Sequence, residues 1–454
     1  MARAQGMQGM DSARQTDEAS IFALSSGAGM AGVAVLRVSG PGAAMSIERL
    51  TGRPLPPPRR AVVRRLHGDD GLIDQAMVLW MPGPGSFTGE DVAEFHVHGG
   101  RAVVLRMLEV LGKMPGLRLA REGEFTRRAF ENGRLSLMEV EGLADLIHAE
   151  TEAQRRQAVQ AASGLAGRRI GEWRESLIFA LSRLEAAIDF IEEDDIAERA
   201  LEGLENGLAE LAAEMQKALT EAEMGEALRA GIRVVLAGAP NVGKSSLLNA
   251  LARREAAIVA REAGTTRDVI EVRMDFGGVP VILCDTAGLR EEAQGEIERI
   301  GQARAQALLE EADIVLWMAA ADQENRDIPH IDSEVIRILN KCDLLDSPAE
   351  QYGYDLRISV RSGMGLEELE KTLGDLIRKR YDLVIPPMIT RERQRLALKD
   401  ALGQVQSALD NPLAPLEIRA EMLRQAVRAL ERLIGKVDVE DLLERIFGEF
   451  CIGK

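Results

Sequence analysis

Eight consecutive residues, Gly238-Ala239-Pro240-Asn241-Val242-Gly243-Lys244-Ser245, spell the phosphate-binding pattern G-x-x-x-x-G-K-S. A loop of this kind wraps backbone N–H groups around an anion, and the dipole of a following helix adds positive potential. The Lys of the pattern reaches the β- and γ-phosphates of a nucleotide, and the Ser hydroxyl ligates Mg²⁺. Lys244 and Ser245 are the candidates, with Asn241, Val242, Gly243 and Ser246 lining the same phosphates. A Gly-rich turn can match by chance, so the context matters: a strand must precede it and a helix must follow. Here the apolar run 232–236 reads as a buried strand, and 246–251 reads as the first turns of a helix.

Two further stretches choose the nucleotide. Asp285-Thr286-Ala287-Gly288 follows the apolar run 281–284. A carboxylate at a strand end is where an outer contact to Mg²⁺ must sit, and a glycine there lets backbone approach the γ-phosphate. Asn340-Lys341-Cys342-Asp343 follows the run 335–339. An Asp accepts two hydrogen bonds from the N1–H and N2–H₂ edge of guanine. Adenine offers no such pair and would leave the Asp343 carboxylate unpaired. Asn340 and Lys341 would support the base and the phosphate loop. The three stretches stand in the order and spacing of translation-factor-like GTPases and imply GTP.

The water-orienting residue is less conventional. Many small GTPases carry Gln directly after the Asp-Thr-Ala-Gly run; here that position is Leu289. Either hydrolysis is negligible or another polar group orients the water. The segment 290–299 offers several carboxylates, most of which read as a solvated acidic loop. No arginine finger is identifiable. Asn241 could ligate a monovalent cation whose charge replaces that of an arginine. Between the phosphate loop and Asp285, Ala263-Gly264-Thr265-Thr266-Arg267-Asp268 lies where a switch segment lends a Thr hydroxyl to Mg²⁺, and Thr266 is the candidate.

The elements that must hold these residues can be read coarsely. From 20 to 135, short apolar runs at 33–38, 76–80 and 92–97 alternate with Gly and Pro turns, an α+β pattern. From 136 to 230 helical periodicity takes over. Leu201, Leu204, Leu208, Leu211, Met215 and Leu219 make one face of a long helix, a stripe more typical of core packing than of a cofactor box. Residues 231–382 form the α/β P-loop GTPase domain. Ile385-Pro386-Pro387 reads as a linker, and helical periodicity returns through 383–454, including Met422, Ala426, Leu430 and Leu433. The expected architecture is therefore multidomain: an α+β N-terminal domain, then an α-helical central domain formed by two chain segments with the GTPase domain inserted between them. Residues 1–19 read as a disordered extension.

Composition bounds the partners. Three Cys in 454 residues make no disulfide framework, which implies a reducing compartment and a cytoplasmic protein. No apolar run reaches the roughly 18 residues of a membrane span. The net charge of −17 sits awkwardly with nucleic acid, since phosphates attract Lys and Arg. Basic clusters such as Arg59-Arg60 with Arg64-Arg65 exist, each read first as a solvated face. His96-Val97-His98 could place two imidazoles on one strand face, but no third metal ligand is evident. The acidic run 192–195 reads as a helix boundary.

At this point the chain resembles a known family, the MnmE (TrmE) tRNA-modification GTPases. Gly264-Thr265-Thr266-Arg267-Asp268, Asp285-Thr286-Ala287-Gly288-Leu289-Arg290 and Glu298-Arg299-Ile300-Gly301 carry the resemblance in the GTPase domain. In the N-terminal part it rests on Val35-Leu36-Arg37-Val38-Ser39-Gly40, Ser86-Phe87-Thr88-Gly89-Glu90-Asp91, His98-Gly99-Gly100 and the run 123–133; the ending Cys451-Ile452-Gly453-Lys454 also matches. The resemblance implies a potassium-dependent GTPase whose G domains dimerise across the nucleotides. Asn241 would ligate potassium, joined by Ala260, Glu262 and Thr265 of the loop 260–265. Glu298 would orient the attacking water through a second water, with Lys244 as its catalytic companion. The N-terminal domain would bind 5-formyltetrahydrofolate or a related tetrahydrofolate through Arg37, Glu94, Arg134 and Lys454. Arg134 stands where the family often has Lys. A homodimer would assemble with an MnmG-type protein carrying FAD into a heterotetramer. Together they would install an aminomethyl or carboxymethylaminomethyl group at carbon 5 of the wobble uridine, with tRNA contacted mainly through the partner. Cys451 is a candidate reactive thiol or a small buried residue. Two stretches depart from the family pattern. Ser359-Val360-Arg361 replaces Ser-Ala-Lys in the base-binding loop, where Ser359 and neighbouring N–H groups still suit the guanine oxygen; and the Gly-rich stretch 25–32 lacks the usual Pro and Arg. The alternative function is a ribosome-assembly or regulatory GTPase switch, which would need neither the N-terminal module nor the Cys-Ile-Gly-Lys end.

Overall fold

The computed structural model describes residues 19–27, 29–190, 199–254, 270–285, 306–323, 333–345, 353–380, 387–436, 440–448, 450 and 452–454. In chain order its named strands are β1 Ser20–Leu24, β2 Ala31–Ser39, β3 Val62–Gly68, β4 Gly71–Met81, β5 Val92–Gly99, β6 Leu117–Leu119, β7 Ile232–Gly238, β8 Ile270–Phe276, β9 Val279–Asp285, β10 Ile314–Ala320, β11 Glu334–Asn340 and β12 Leu356–Arg357. Its named α-helices are α1 Ala43–Thr51, α2 Arg101–Gly112, α3 Glu124–Glu131, α4 Leu137–His148, α5 Glu152–Ala162, α6 Leu165–Asp189, α7 Leu204–Ala230, α8 Lys244–Arg254, α9 Leu366–Arg380, α10 Glu392–Asp410, α11 Leu416–Ile434 and α12 Glu440–Gly448. The chain divides into two compact units, residues 1–144 with 431–454, and residues 145–430.

The first unit is α+β. Its sheet runs β3-β4-β5-β2-β1-β6, antiparallel except where β6 joins β1. Side chains alternate across a strand, and the sequence uses that alternation. Leu36, Val38, Val78, Phe95 and Val97 are buried with Ile47 and Leu50 of α1 and Met107 and Leu111 of α2. The intervening Arg37, Glu94 and His96 remain part-exposed on the opposite face, where Phe125 of α3 packs with Ile21 and Ala23 of β1. The chain's end returns to this unit. Helix α12 packs on α3, and Ile452 bridges antiparallel to Glu122. Gly453 adopts φ 104°, and a Cβ there would lie 2.0 Å from the Leu24 carbonyl oxygen. Only glycine fits that conformation and approach.

The second unit combines helices from both sides of the GTPase segment with a sheet ordered β12-β11-β10-β7-β9-β8. All its pairs are parallel except β8–β9. Parallel strands covered on both faces read as continuous apolar runs, and β9 is buried at every position. One face packs Val234, Leu236, Leu283, Leu316 and Ile338 with α8 and α9; the other carries Val235, Ile282, Cys284 and Val315. Helix α7 begins at Leu204 behind Gly203, so Leu201 precedes the stripe expected of it. Leu204, Leu208, Leu211 and Met215 are buried, and the stripe continues through Ala218 and Ala222 while Leu219 stands part-exposed. At about 100° per residue Leu219 has drifted to the stripe's edge.

The helices grip the GTPase segment where the chain enters and leaves it. Asp145 Oδ1 accepts from Arg229 Nε at 2.8 Å and from an Arg391 guanidinium nitrogen at 2.7 Å. Arg229 closes α7 just before β7, and Arg391 opens α10. Gly225 of α7 lies so close to the returning chain that a Cβ would sit 2.1 Å from the Ile389 carbonyl oxygen. Helix α5 starts with a capping box between Thr151 and Gln154. Its Ala153 N–H donates to Gly278 O, in the β8–β9 turn, at 3.0 Å. No helix among the described residues is long and apolar enough to cross a membrane.

Candidate nucleotide site and N-terminal polar cluster

In an open α/β sheet, ligands bind beyond the carboxyl ends of strands where the strand order reverses. Strand β7 is that point: the chain passes to β8 and β9 on one side and to β10, β11 and β12 on the other. The register brings the ends together, pairing Leu236 with Asp285, Gly238 with Met318 and Ala320 with Asn340. The phosphate loop leaves β7 and enters α8 at Lys244. Gly238 has φ 136°, and a Cβ would lie 2.1 Å from Met318 O; Gly243 has φ 101°, and a Cβ would lie 2.4 Å from Asn340 Nδ2. Both glycines of the pattern are thus fixed by backbone conformation and by space.

Polar side chains converge on this loop. Lys244, 6% exposed, donates from Nζ to Gly238 O and Ala239 O, both at 3.0 Å. Its ammonium is held at the mouth of the loop where phosphate oxygens would replace those carbonyls. Ser245 Oγ donates to Asp285 Oδ2 at 2.5 Å. A hydroxyl at a helix start beside a carboxylate at a strand end is a ligand set suited to a hard dication. Asn340, 3% exposed, donates to Val242 O at 2.8 Å and accepts from Val360 N–H at 3.2 Å. One side chain therefore ties the turn 238–245 to both loops expected to bind the base. Asp343 is exposed in a short 3₁₀ turn, Cys342–Leu344. Ser359 is fully buried, its N–H donating to Met364 O at 2.9 Å and its Oγ accepting from Ser362 N–H at 3.2 Å. Asn241 and Ser246 are exposed on the loop and the first turn of α8. Thr265, Thr266, Thr286, Ala287, Gly288, Glu298, Ala260 and Glu262 lie outside the described residues, as do Leu289, Cys451 and the acidic run 192–195.

Two residues here were not singled out from sequence. Asp322 and Gln323 follow β10 after Ala321. Lys341 Nζ lies 2.8 Å and 3.2 Å from the two Asp322 carboxylate oxygens, and this hydrogen bond holds the Asp322 carboxyl below the usual carboxylate range. Gln323 Nε2 donates to Pro240 O at 3.0 Å. The signal was present: a polar pair at the end of an apolar run, as at Asp285 and Asn340.

In the first unit, Arg37 and Glu94 are directly joined, Nε to Oε1 at 2.9 Å. The register places them opposite one another on β2 and β5. The Arg37 guanidinium lies 5.5 Å from the centre of the Phe87 ring and 5.7 Å from that of Phe125. His96 Nε2 is 3.1 Å from Glu94 Oε2, while His98 Nδ1 is 2.8 Å from Asp74 Oδ1. The two imidazoles thus meet different carboxylates, and among the described residues no group of three His, Cys, Asp or Glu side chains is placed to hold a metal. The loop 86–91 is stitched down by Ser39 Oγ with Thr88 Oγ1 at 2.7 Å, Ser39 Oγ donating to Glu90 Oε2 at 2.7 Å, and Asn132 Nδ2 donating to Thr88 O at 2.7 Å. Arg134 packs against Gly89 of that loop, where a Cβ would lie 3.2 Å from Arg134 Cγ. Lys454 is part-exposed and follows Gly453, which lies against Leu24 at the end of β1, one residue beyond Ala23, the register partner of Arg37.

Comparison with known proteins gives this arrangement its context. The family profile described as "GTP-binding protein TrmE N-terminus" matches residues 20–134, and that of the "MnmE helical domain" matches residues 137–451. A tRNA modification GTPase MnmE of Methylobacterium sp. (strain 4-46) is 49% identical, covering 96% of this chain and 99% of that protein. The proteins of the same name from Rhodopseudomonas palustris and Parvibaculum lavamentivorans are 47% and 48% identical, each over 96% of this chain and over 98% and 99% of their own lengths. With both profiles matched and the likeness running almost from end to end, the chain belongs to the MnmE (TrmE) family of tRNA modification GTPases.

Proposed function

We propose that this protein is a potassium-dependent GTPase that modifies carbon 5 of the wobble uridine in tRNA, working as a homodimer in the cytoplasm with an MnmG-type FAD protein. The observation that carries the GTPase reading is the contact between Ser245 Oγ and Asp285 Oδ2, set in the Asn340 network that joins phosphate loop and base loops. Ser245, with Thr266, would hold Mg²⁺, and Asp285 would act from behind it. Held there, Mg²⁺ would supply the positive charge that offsets the charge developing on the phosphates. Lys244 binds those phosphates, Asp343 reads the guanine edge, and Glu298 orients water in place of the residue that Leu289 displaces.

Asn241 supports the potassium reading. It is exposed in the loop at φ 63°, next to the phosphate position, and Ala260, Glu262 and Thr265 would complete the ligand set. Arg37, braced by Glu94 and flanked by two aromatic rings, supports the folate reading. The polar edge of a pterin ring suits an arginine–carboxylate pair set between two aromatic rings, and Arg134 and Lys454 would meet the glutamate carboxylates of the folate. The net charge of −17 favours tRNA contact mainly through the partner. The N-terminal unit speaks against a bare assembly GTPase, which has no use for this module.

The test is reconstitution: full-length protein, an MnmG-type partner with FAD, GTP, potassium, a tetrahydrofolate one-carbon donor, ammonium or glycine in parallel reactions as the source of nitrogen, and unmodified tRNA, read by mass spectrometry of the released nucleosides. The expected result is a C5-substituted uridine that requires GTP and is lost with Glu94→Gln. GTP turnover without any nucleoside product would move the assignment to the assembly-GTPase reading.

A further inference from the structure

Among the described residues only Arg59, Asn241 and Lys341 are non-glycine residues with positive φ, at 59°, 63° and 60°. Two of the three are in the nucleotide site. A left-handed Lys is sparsely populated and needs support from its surroundings, while Asn tolerates this conformation better. Both are held from one turn, 321–323, that follows β10. Ala321 N–H donates to Asn340 O at 2.9 Å, fixing the backbone next to Lys341. Asp322 meets the Lys341 ammonium with both carboxylate oxygens. Gln323 Nε2 reaches Pro240 O, the carbonyl that directly precedes Asn241.

We propose that Asp322 and Gln323 are positioning residues for the nucleotide: Asp322 aims Lys341 at the guanosine moiety, and Gln323 sets the phosphate loop at Asn241. Neither side chain needs to touch the nucleotide. The turn makes base recognition and phosphate binding depend on one three-residue element, and the ion pair narrows the positions open to the part-exposed Lys341 ammonium. The inference rests on the GTP-site reading.

The experiment is titration of the full-length protein with fluorescent N-methylanthraniloyl-GDP, first in the wild type with GTP and ATP as competitors. If the wild type does not bind the probe, or ATP competes as well as GTP, the site reading fails and the turn is not at issue. With binding established, Asp322→Asn is expected to raise Kd roughly three- to fivefold, with kcat at saturating GTP unchanged. Asp322→Glu, which keeps the charge, is expected to restore most of the affinity. In a Lys341→Met background, Asp322→Asn is expected to change Kd by less than about 1.5-fold. Gln323→Leu is expected to weaken GDP while leaving the weaker binding of guanosine unaltered. An equal loss from Asp322→Asn with and without Lys341, or no loss in either, would overturn the role given to Asp322. An equal loss for GDP and guanosine would overturn that given to Gln323.

Discussion

Gly225 offers a sharp test of how the GTPase segment is seated on its helices, because propensity and packing predict opposite signs. It lies inside α7, where replacing Gly by Ala ordinarily gains about 1 kcal/mol. At Gly225, however, the new Cβ would sit 2.1 Å from Ile389 O and 3.1 Å from Pro387 Cβ. The nearer atom is backbone, so relief requires α7 and the returning chain to separate. Overpacking of this kind costs about 1–3 kcal/mol. The separation also threatens the buried bond from Gln157 Nε2 to Gly225 O, a further ~1 kcal/mol. After the propensity gain, Gly225→Ala should destabilise the second unit by about 2 kcal/mol, lowering its melting temperature by roughly 4–8 °C. Gly207 is the internal control: it lies in the same helix, and a Cβ there would meet nothing within 4 Å. Gly207→Ala should raise the melting temperature by up to roughly 2–4 °C. Thermal unfolding by circular dichroism, run on both variants, reads the two signs. If Gly225→Ala melts at or above the wild type, the close approach of α7 to Ile389 is wrong.

The remaining predictions concern the site and one cysteine. Gly243→Ala must force a left-handed Ala and drive Asn340 off Val242 O; GDP binding should weaken by about 2 kcal/mol or more, roughly 30-fold, by fluorescence titration. Retained affinity would mean that Asn340 does not anchor the phosphate loop. Burial pushes the Cys284 thiol up to about 12, so at pH 8 only about one part in ten thousand is thiolate. Iodoacetamide followed by peptide mass spectrometry should therefore leave Cys284 unlabelled in the folded protein and label it after denaturation. Labelling of the native protein at this position would contradict its place inside the sheet.

Sequence was most informative where chemistry and backbone geometry coincide. The positive φ and close approach at Gly238 and Gly243 were legible because a G-x-x-x-x-G-K-S turn between strand and helix constrains residue type there, and the convergence of Ser245, Asp285 and Asn340 on that turn because a polar residue ending an apolar strand must have a reason to be there. The α+β pattern of the first unit followed from alternation, with Leu36 and Val38 inward and Arg37 outward. The helix stripe from Leu204 was legible, but its start was not, because Leu201 continues the apolar spacing across Gly203 and only the left-handed glycine marks the break. Asp322 and Gln323 were missed because their partners, Lys341 and Pro240, are remote in sequence and meet only through the strand order β11-β10-β7. The aromatic flanks of Arg37 were missed for the same reason: Phe87 and Phe125 come from a loop and a helix that reach β2 only in the folded unit.

The most direct test of the central claim is steady-state nucleotide hydrolysis by the full-length protein in matched potassium and sodium salts, with Glu298→Ala alongside. The expected result is turnover of GTP and not ATP, a rate in potassium at least roughly tenfold above that in sodium, and loss of that rate in Glu298→Ala with GDP binding retained. Equal rates in the two salts would contradict the cation role of Asn241, and ATP turnover matching that of GTP would contradict the reading of Asp343 on which the whole assignment of the nucleotide rests.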